Sequence, residues 1–147
     1  MKNEFNFKNI LVPYNATPGA EKGLDAAIDF AKKVNGNITL ITCVENKSIL
    51  SFFKKDKKEK FEEQKSIIEN ELKKVESKIK ELSKPTNHVI LQSSFAPETI
   101  INHVEKNYIG IVIIGQTKLS KIEEKYHESM SMYLTKGLKC PLLIVKQ

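Results

Sequence analysis

The segment IVIIGQTK, residues 111–118, is the part of the sequence that decides the fold class. Four branched apolar residues end at Gly115, and a polar stretch follows them. A near-continuous apolar run is typical of a parallel strand that is covered on both faces. A helical segment then leads to a second apolar run, Leu142–Val145. Because ligand crevices in open α/β sheets form outside the carboxyl ends of the strands, the loop after Gly115 is the first candidate for a ligand site.

The other predicted elements alternate between strand and helix. Apolar β-branched runs indicate strands, and apolar residues spaced three and four apart indicate helices. The predicted strands are residues 8–13, 38–44, 88–91, 108–114 and 141–145, and the predicted helices begin near Pro18, Lys57, Ala96 and Lys121. This alternation predicts a parallel, doubly wound, five-stranded α/β sheet with helices on both faces. No linker interrupts it, so residues 1–147 are predicted to form one domain.

The first helix has clear signals at both ends and along one side. Thr17 is a predicted N-cap, Pro18 a first-turn residue, and Gly36 the predicted stop. Close approach to the sheet is predicted by its small residues, which are Gly19, Ala20, Gly23, Ala26 and Ala27.

A long, charged helix is predicted from about Lys57 to Leu82. Its apolar side chains form one stripe, made of Phe61, Ile68, Leu72, Val75, Ile79 and Leu82. Lys65 interrupts the heptad pattern, so packing on a sheet is favoured over a coiled coil. The preceding apolar segment, Ser48–Phe53, has no predicted place, and covering a crevice and contacting a partner are the alternatives.

Composition narrows the function classes. The 147 residues carry a net charge of +6, and every basic residue other than histidine is a lysine. Because arginine makes most bidentate phosphate and base-edge contacts, its absence argues against a nucleic acid partner. No run reaches the length of a membrane span, and the N-terminus lacks signal-peptide features. We therefore expect a cytoplasmic protein with no membrane partner.

No catalytic or metal-binding set is visible in the sequence. Cys43 and Cys140 lie in apolar runs and are predicted to be buried thiols in a reducing compartment. The three histidines lack the paired spacing of a zinc site, so no metal site is predicted. No general base has a positioned partner, so no catalytic residue is predicted, and a slow ATPase is the enzymatic alternative.

The chain resembles the universal stress protein family over nearly its whole length. The resemblance is carried by Ile10–Pro13 with the polar pair after it, by Ile111–Gly115, and by the terminal Cys140–Lys146. It implies a Rossmann-like fold, similar to that of the adenine nucleotide alpha hydrolases, with strand order 3-2-1-4-5. It also implies a role in the stress response, a homodimer formed through Leu142–Val145, and further protein partners.

Some members of this family bind ATP through a loop of glycine, two residues, glycine, nine residues, then glycine and a serine or threonine. Gly115 matches the first glycine and Ser129 the hydroxyl position, whereas Lys118 and Glu128 replace the other two glycines. The resemblance also assigns Asn15 to the position of the first-strand acid and Cys43 to the adenine pocket. The full set of implied nucleotide-binding residues is Pro13, Asn15, Cys43, Ile114, Gly115, Lys118, Ser129, Met130 and Ser131.

The substitutions in this loop act in opposite directions. Lys118 loses the conformational freedom of glycine but adds a cation, whereas Glu128 would repel a phosphate by about 1 kcal/mol in water. Ser129 and Ser131 are a usable anion site at a helix N-terminus, and helix capping is their alternative role. Phe95 is a candidate to narrow the crevice. We expect weak or altered binding of an adenine nucleotide, with AMP or ADP preferred to ATP and Mg²⁺ present only with bound nucleotide; the alternative is a dimeric stress protein that binds none.

Overall fold

The computed structural model describes residues 5–15, 18–45, 57–116 and 129–146. The strands in this part of the chain are β1 (Asn9–Pro13), β2 (Asn37–Glu45), β3 (Asn87–Ser93), β4 (Ile111–Gly115) and β5 (Leu142–Val145). The helices are α1 (Pro18–Val34), α2 (Lys57–Lys73), α3 (Glu76–Ile79), α4 (Ala96–Lys106) and α5 (Ser129–Gly137). The strands form one parallel sheet in the order 3-2-1-4-5, which confirms the predicted fold class.

The central strands separate two apolar cores because successive side chains point to opposite faces. The first core joins the sheet to α1 and α2 and includes Ile10, Val12, Leu24, Ala27 and Leu72. The second core joins it to α4 and α5 and includes Leu11, Val112, Ile100, Val104 and Leu134. Helices therefore cover both faces, which explains why β4 is apolar along its length.

Small residues bring α1 into close contact with the end of β4. A Cβ atom at Gly23 would lie 2.6 Å from the backbone nitrogen of Gly115. A Cβ atom at Gly115 would overlap the carbonyl oxygen of Gly19. No side chain fits at either position, so the predicted close approach of this helix to the sheet is confirmed.

The end of α1 differs by one residue from the prediction. Asn35, not Gly36, takes the left-handed conformation, with φ of 53°. The amide of Gly36 then donates to the carbonyl of Ala31 at 2.9 Å, which is the bond of a Schellman motif. Asparagine tolerates this conformation, so it can end the helix. Gly36 is instead needed for space, because a Cβ atom there would lie 2.9 Å from the carbonyl oxygen of Lys8.

The helix predicted from Lys57 to Leu82 is broken at residues 74–75. The amide of Val75 donates to the carbonyl of Leu72 at 3.1 Å, so the chain tightens to a three-residue turn there. Leu72 and Val75 are both buried in the first core, and the tighter turn brings both onto the sheet. Three further residues of the predicted stripe, Ile68, Ile79 and Leu82, are partly buried and pack against this core.

The fourth strand begins at Ile111, three residues later than predicted. Tyr108 has a φ of 54° and its side chain is 85% exposed, so it belongs to a turn. The side-chain amide of Asn9 donates to the carbonyl of Tyr108 at 2.9 Å and holds this turn against β1. The predicted strand began too early because the apolar run in the sequence includes residues that precede β4. The third strand, by contrast, is longer than predicted and runs from Asn87 to Ser93.

Two of the predicted segments lie partly or wholly outside the residues that the structure describes. The last helix ends at Gly137 as predicted, but its predicted first turns at residues 121–128 lie outside the described residues. Ser48–Phe53 lies outside them as well. Within the described ranges, none of the helices combines the length and apolar character that a bilayer crossing requires.

Candidate functional site

The carboxyl ends of the parallel strands bring several of the predicted site residues to one edge of the sheet. Asn15 follows β1, Cys43 lies near the end of β2, and Gly115 ends β4. The ring of Tyr133 in α5 contacts the ring of Phe95, which follows β3. The first half of α5 therefore lies at the same edge. This arrangement matches the place where open α/β sheets bind ligands.

A cavity of about 490 Å³ opens at this edge between the ends of β1 and β2 and the helix α2. Its walls are formed by Tyr14, Asn15, Thr42, Cys43, Val44, Gln64, Ile67, Ile68, Glu71 and Leu72. Its volume is within the range of small-molecule sites, and five of its ten lining residues have apolar or thiol side chains. Of the described residues that line it, Glu71 alone carries a full charge at neutral pH.

Two hydrogen bonds fix the backbone at the cavity floor. The amide of Tyr14 donates to the carbonyl of Ile41 at 2.9 Å, so the pairing of β1 with β2 continues beyond Pro13. The buried hydroxyl of Thr42 donates to the carbonyl of Tyr14 at 2.7 Å. Tyr14 is thereby held in the first core, and Asn15 is turned outward and exposed.

Three carboxylates act on the phenol of Tyr14 at this floor. Burial, followed by the carboxylates of Glu21, Glu71 and Asp25, raises the pKa of Tyr14 above its usual value of 10.0. The phenol is therefore a neutral hydrogen-bonding group at physiological pH. Asp25 is paired with Lys78 at 3.2 Å and Glu71 with Lys74 at 3.1 Å, but both pairs are exposed to solvent. Exposed pairs of this kind contribute little to stability.

Four of the predicted site residues fall into two groups in the structure, and Pro13 lies apart from both. Asn15 and Cys43 line the cavity. Ile114 belongs to the second core and Met130 packs against it, on the face of the sheet covered by α4 and α5. Pro13 ends β1 and pairs with Ile41.

The α5 end of the predicted site is described in part. Ser129 begins α5, and Ser131 lies in its first turn, where its carbonyl accepts a bond from the hydroxyl of Thr135 at 2.6 Å. Lys118, Glu128 and the side chain of Ser129 lie outside the described residues.

Gly115 has a packing role that the sequence did not assign. Its match to the family loop suggested a flexible turn for phosphate, yet none of the described glycines has a positive φ. Gly115 is the last residue of β4, and the backbone of α1 at Gly19 occupies the space of its missing side chain. The glycine at this position is therefore explained by helix–strand contact, whatever the following loop binds.

Gln64 and Glu71 are lining residues that sequence reasoning missed. They lie on the charged helix α2, where polar residues normally indicate a solvated face. The available signal was their spacing, since Gln64, Ile68 and Glu71 occupy positions i, i+4 and i+7 on one side of a helix. That side also carries the apolar stripe, so these polar residues border it.

Phe95 does not line the cavity described above. Its ring packs edge-to-face on Tyr133 with centroids 4.8 Å apart, and this contact joins α4 to α5. The hydroxyl of Ser93 accepts a bond from the amide of Phe95 at 3.1 Å and lies 2.6 Å from the hydroxyl of Thr99. These bonds fix the start of α4.

The thiols are less buried than predicted. Neither Cys43 nor Cys140 forms a disulfide, and both are partly buried, because one borders the cavity and the other precedes the edge strand β5. Burial raises the pKa of the Cys140 thiol, which keeps it protonated. Within the described ranges, no group of three or more His, Cys, Asp or Glu side chains is placed to hold a metal ion.

The strand order, the two helix layers and the crevice at the strand ends define a doubly wound, Rossmann-like α/β protein with a cavity of small-molecule size. The pattern of the Universal stress protein family matches residues 6–146. The chain therefore belongs to this family, which confirms the resemblance seen in the sequence.

Solved structures show the same fold at low sequence identity. The universal stress protein UspA from Lactobacillus plantarum has a TM-score of 0.79 and 16% identity, with 97% of this chain and 99% of that chain covered. A universal stress protein in complex with cAMP has a TM-score of 0.66 and 13% identity, with 92% and 94% covered. One from Arabidopsis thaliana with AMP bound has a TM-score of 0.60 and 11% identity, with 94% and 90% covered. No curated protein sequence is a significant match to the chain.

Proposed function

We propose that this universal stress protein is a stress-response binding protein whose crevice takes an adenine nucleotide weakly, with AMP or ADP preferred to ATP. The observation that carries the proposal is the cavity of about 490 Å³ at the carboxyl ends of β1 and β2. Its apolar walls, which include Val44 and Ile68, suit the two faces of a purine ring. Two universal stress proteins of this fold hold cAMP and AMP, which supports the choice of ligand.

The charges near the cavity favour a ligand with few phosphates. Glu71 repels phosphate from the cavity, so the phosphates of a bound nucleotide extend toward the loop after Gly115. There Lys118, Ser129 and Ser131 are the proposed phosphate contacts, with Mg²⁺ bound only together with the nucleotide. Glu128 opposes each added phosphate. We propose no catalytic step, and a cytoplasmic location stays a prediction from the sequence.

Calorimetric titration of AMP, ADP and ATP in the presence of Mg²⁺ tests this proposal. We expect AMP or ADP to bind with a sub-millimolar Kd and ATP to bind more weakly. The double variant Ser129→Ala, Ser131→Ala is expected to lose binding, because it removes the hydroxyls at the start of α5. Met132→Ala on the same helix is the control and is expected to bind like the wild type, because Met132 is 48% exposed.

A second pair of substitutions tests the loop charges. Lys118→Gly with Glu128→Gly restores two glycines of the family loop, and we expect it to raise the affinity for ATP about tenfold or more. An absence of heat for all three nucleotides with the wild-type protein would contradict the proposal. In that case the alternative function, through protein contacts alone, would be favoured.

The alternative has an observation of its own, which is the position of β5. Among the described strands, β5 pairs with β4 on one side and forms an edge of the sheet. Leu143 on this strand is 41% exposed. Exposed edge strands with apolar side chains pair readily with a second chain. We therefore propose a homodimer through Leu142–Val145.

Light scattering tests the dimer. We expect twice the chain mass at micromolar concentration for the wild type, and the single-chain mass for Leu143→Lys, because a charge at the centre of a paired edge opposes association. Tyr108→Lys is the control, since Tyr108 is 85% exposed and lies before β4 rather than on the edge. A single-chain mass for the wild type would rule out this interface.

A further inference from the structure

We infer that Glu71 selects ribonucleotides by accepting hydrogen bonds from the 2′- and 3′-hydroxyls of the ligand's ribose. The inference rests on the proposed function, because it names the part of the nucleotide that α2 contacts. Nothing in the nucleotide loop of the family pattern assigns a role to this helix.

The cavity walls change from apolar to polar between the floor and the mouth. Tyr14, Val44 and Leu72 are 4%, 6% and 2% exposed, so they form the deep part. Ile67 is 62% exposed, and the side chain of Glu71 is 45% exposed, so these residues border the mouth. A planar base gains most from the deep apolar walls. The ribose attached to it then lies at the level of Glu71.

A carboxylate is restricted in what it can recognise, because it accepts hydrogen bonds and donates none when ionised. The phosphates of a nucleotide are repelled by it, whereas the ribose diol offers two adjacent donors to its two oxygens. Acidic side chains bind the ribose 2′-hydroxyl in the same way at dinucleotide sites of Rossmann folds. Asn15, the other exposed polar residue from a strand end, is uncharged. The residue that follows β1 at the cavity is thus an amide, and the carboxylate at the cavity is that of Glu71 on α2.

The partner that Glu71 already has leaves room for a ligand. Lys74 contacts its Oε1 atom at 3.1 Å, and the side chain of Lys74 is 72% exposed. An ionised carboxylate has about four acceptor positions, so one exposed lysine does not saturate it. The charge of Glu71 also acts on the neighbouring Tyr14, whose pKa it helps to raise after the larger effect of burial. The carboxylate at the mouth is therefore close enough for its charge to act on the phenol of Tyr14.

Titration of AMP, 2′-deoxy-AMP and 3′-deoxy-AMP against the wild type, Glu71→Ala and Glu69→Ala tests the inference. We expect the wild type to bind AMP about tenfold more tightly than either deoxy ligand, as for a charge-assisted hydrogen bond. In Glu71→Ala the three ligands are expected to bind with nearly equal affinity. Glu69→Ala is the matched control, because Glu69 is an exposed residue of the same helix that does not line the cavity, and it keeps the tenfold preference.

The outcomes separate this inference from the proposed function. If AMP binds the wild type and the deoxy ligands bind equally well, the role of Glu71 is wrong and nucleotide binding stands. If Glu71→Ala keeps the preference for AMP over the two deoxy ligands, another group recognises the hydroxyls and the inference is again overturned. If no AMP binds, the proposed function fails and this inference fails with it.

Discussion

Gly115→Ala is expected to destabilise the protein by about 3 kcal/mol or more. The added Cβ atom would overlap the carbonyl oxygen of Gly19 and lie 2.9 Å from the backbone nitrogen of Gly23. Both are backbone atoms of α1, so neither can rotate away. Relief requires α1 to move off the sheet, although Leu24 and Ala27 of that helix are fully buried against it. Urea denaturation followed by circular dichroism measures the loss as a lower midpoint.

Gly137→Ala is the matched control for this effect. A Cβ atom there would meet the Cδ1 atom of Ile101, the far end of a flexible side chain, rather than backbone. Gly137 also ends α5, where alanine favours the helix. We expect a change of no more than about 1 kcal/mol. A Gly115→Ala protein as stable as the wild type that loses only nucleotide binding would place the role of this glycine in the loop instead.

Gly115 also shows how far sequence reasoning reaches. A glycine after an apolar run fits a phosphate loop, and it fits equally a strand that another backbone crosses. The small residues of α1, including Gly19 and Gly23, pointed to a close contact with the sheet, but periodicity alone does not identify the strand that is contacted. That depends on the strand order, which brings β4 beside β1. The contact between Gly115 and the small residues of α1 can therefore be recognised only once the strand order is known.

The residues by which α2 lines the cavity could not be predicted from the sequence. The alternation of strands and helices was enough to predict the fold, because each element carries its own periodic signal. Gln64 and Glu71 lie on the same side of α2 as the apolar stripe, but a polar residue on a charged helix is typical of a solvated face, so their spacing alone does not identify them as cavity residues. The turn at residues 74–75, which allows Leu72 and Val75 both to be buried in the first core, is likewise absent from the prediction. No glycine or proline lies near residues 74–75, so the sequence does not indicate a turn there.

Leu134→Ala is expected to cost about 3 kcal/mol, within the 2–5 kcal/mol found for buried leucines. Leu134 is fully buried in the second core, together with Ile100 of α4 and Val112 of β4. It is the deepest contact of α5, so its loss removes packing and leaves a cavity beneath the helix. The free energy of unfolding measured in urea gives the size of the effect.

The same substitution links the core to the proposed nucleotide site. Leu134 lies one turn after Ser131, and a loosened α5 holds the start of the helix less firmly, so we expect AMP affinity to fall along with stability. Met132→Ala is the control, because Met132 belongs to the same helix and is 48% exposed. It is expected to change stability by less than about 1 kcal/mol. Equal losses in the two variants would contradict the position of Leu134 as the anchor of α5, whereas a loss of stability in Leu134→Ala with unchanged AMP affinity would show that the phosphate contacts do not depend on this helix.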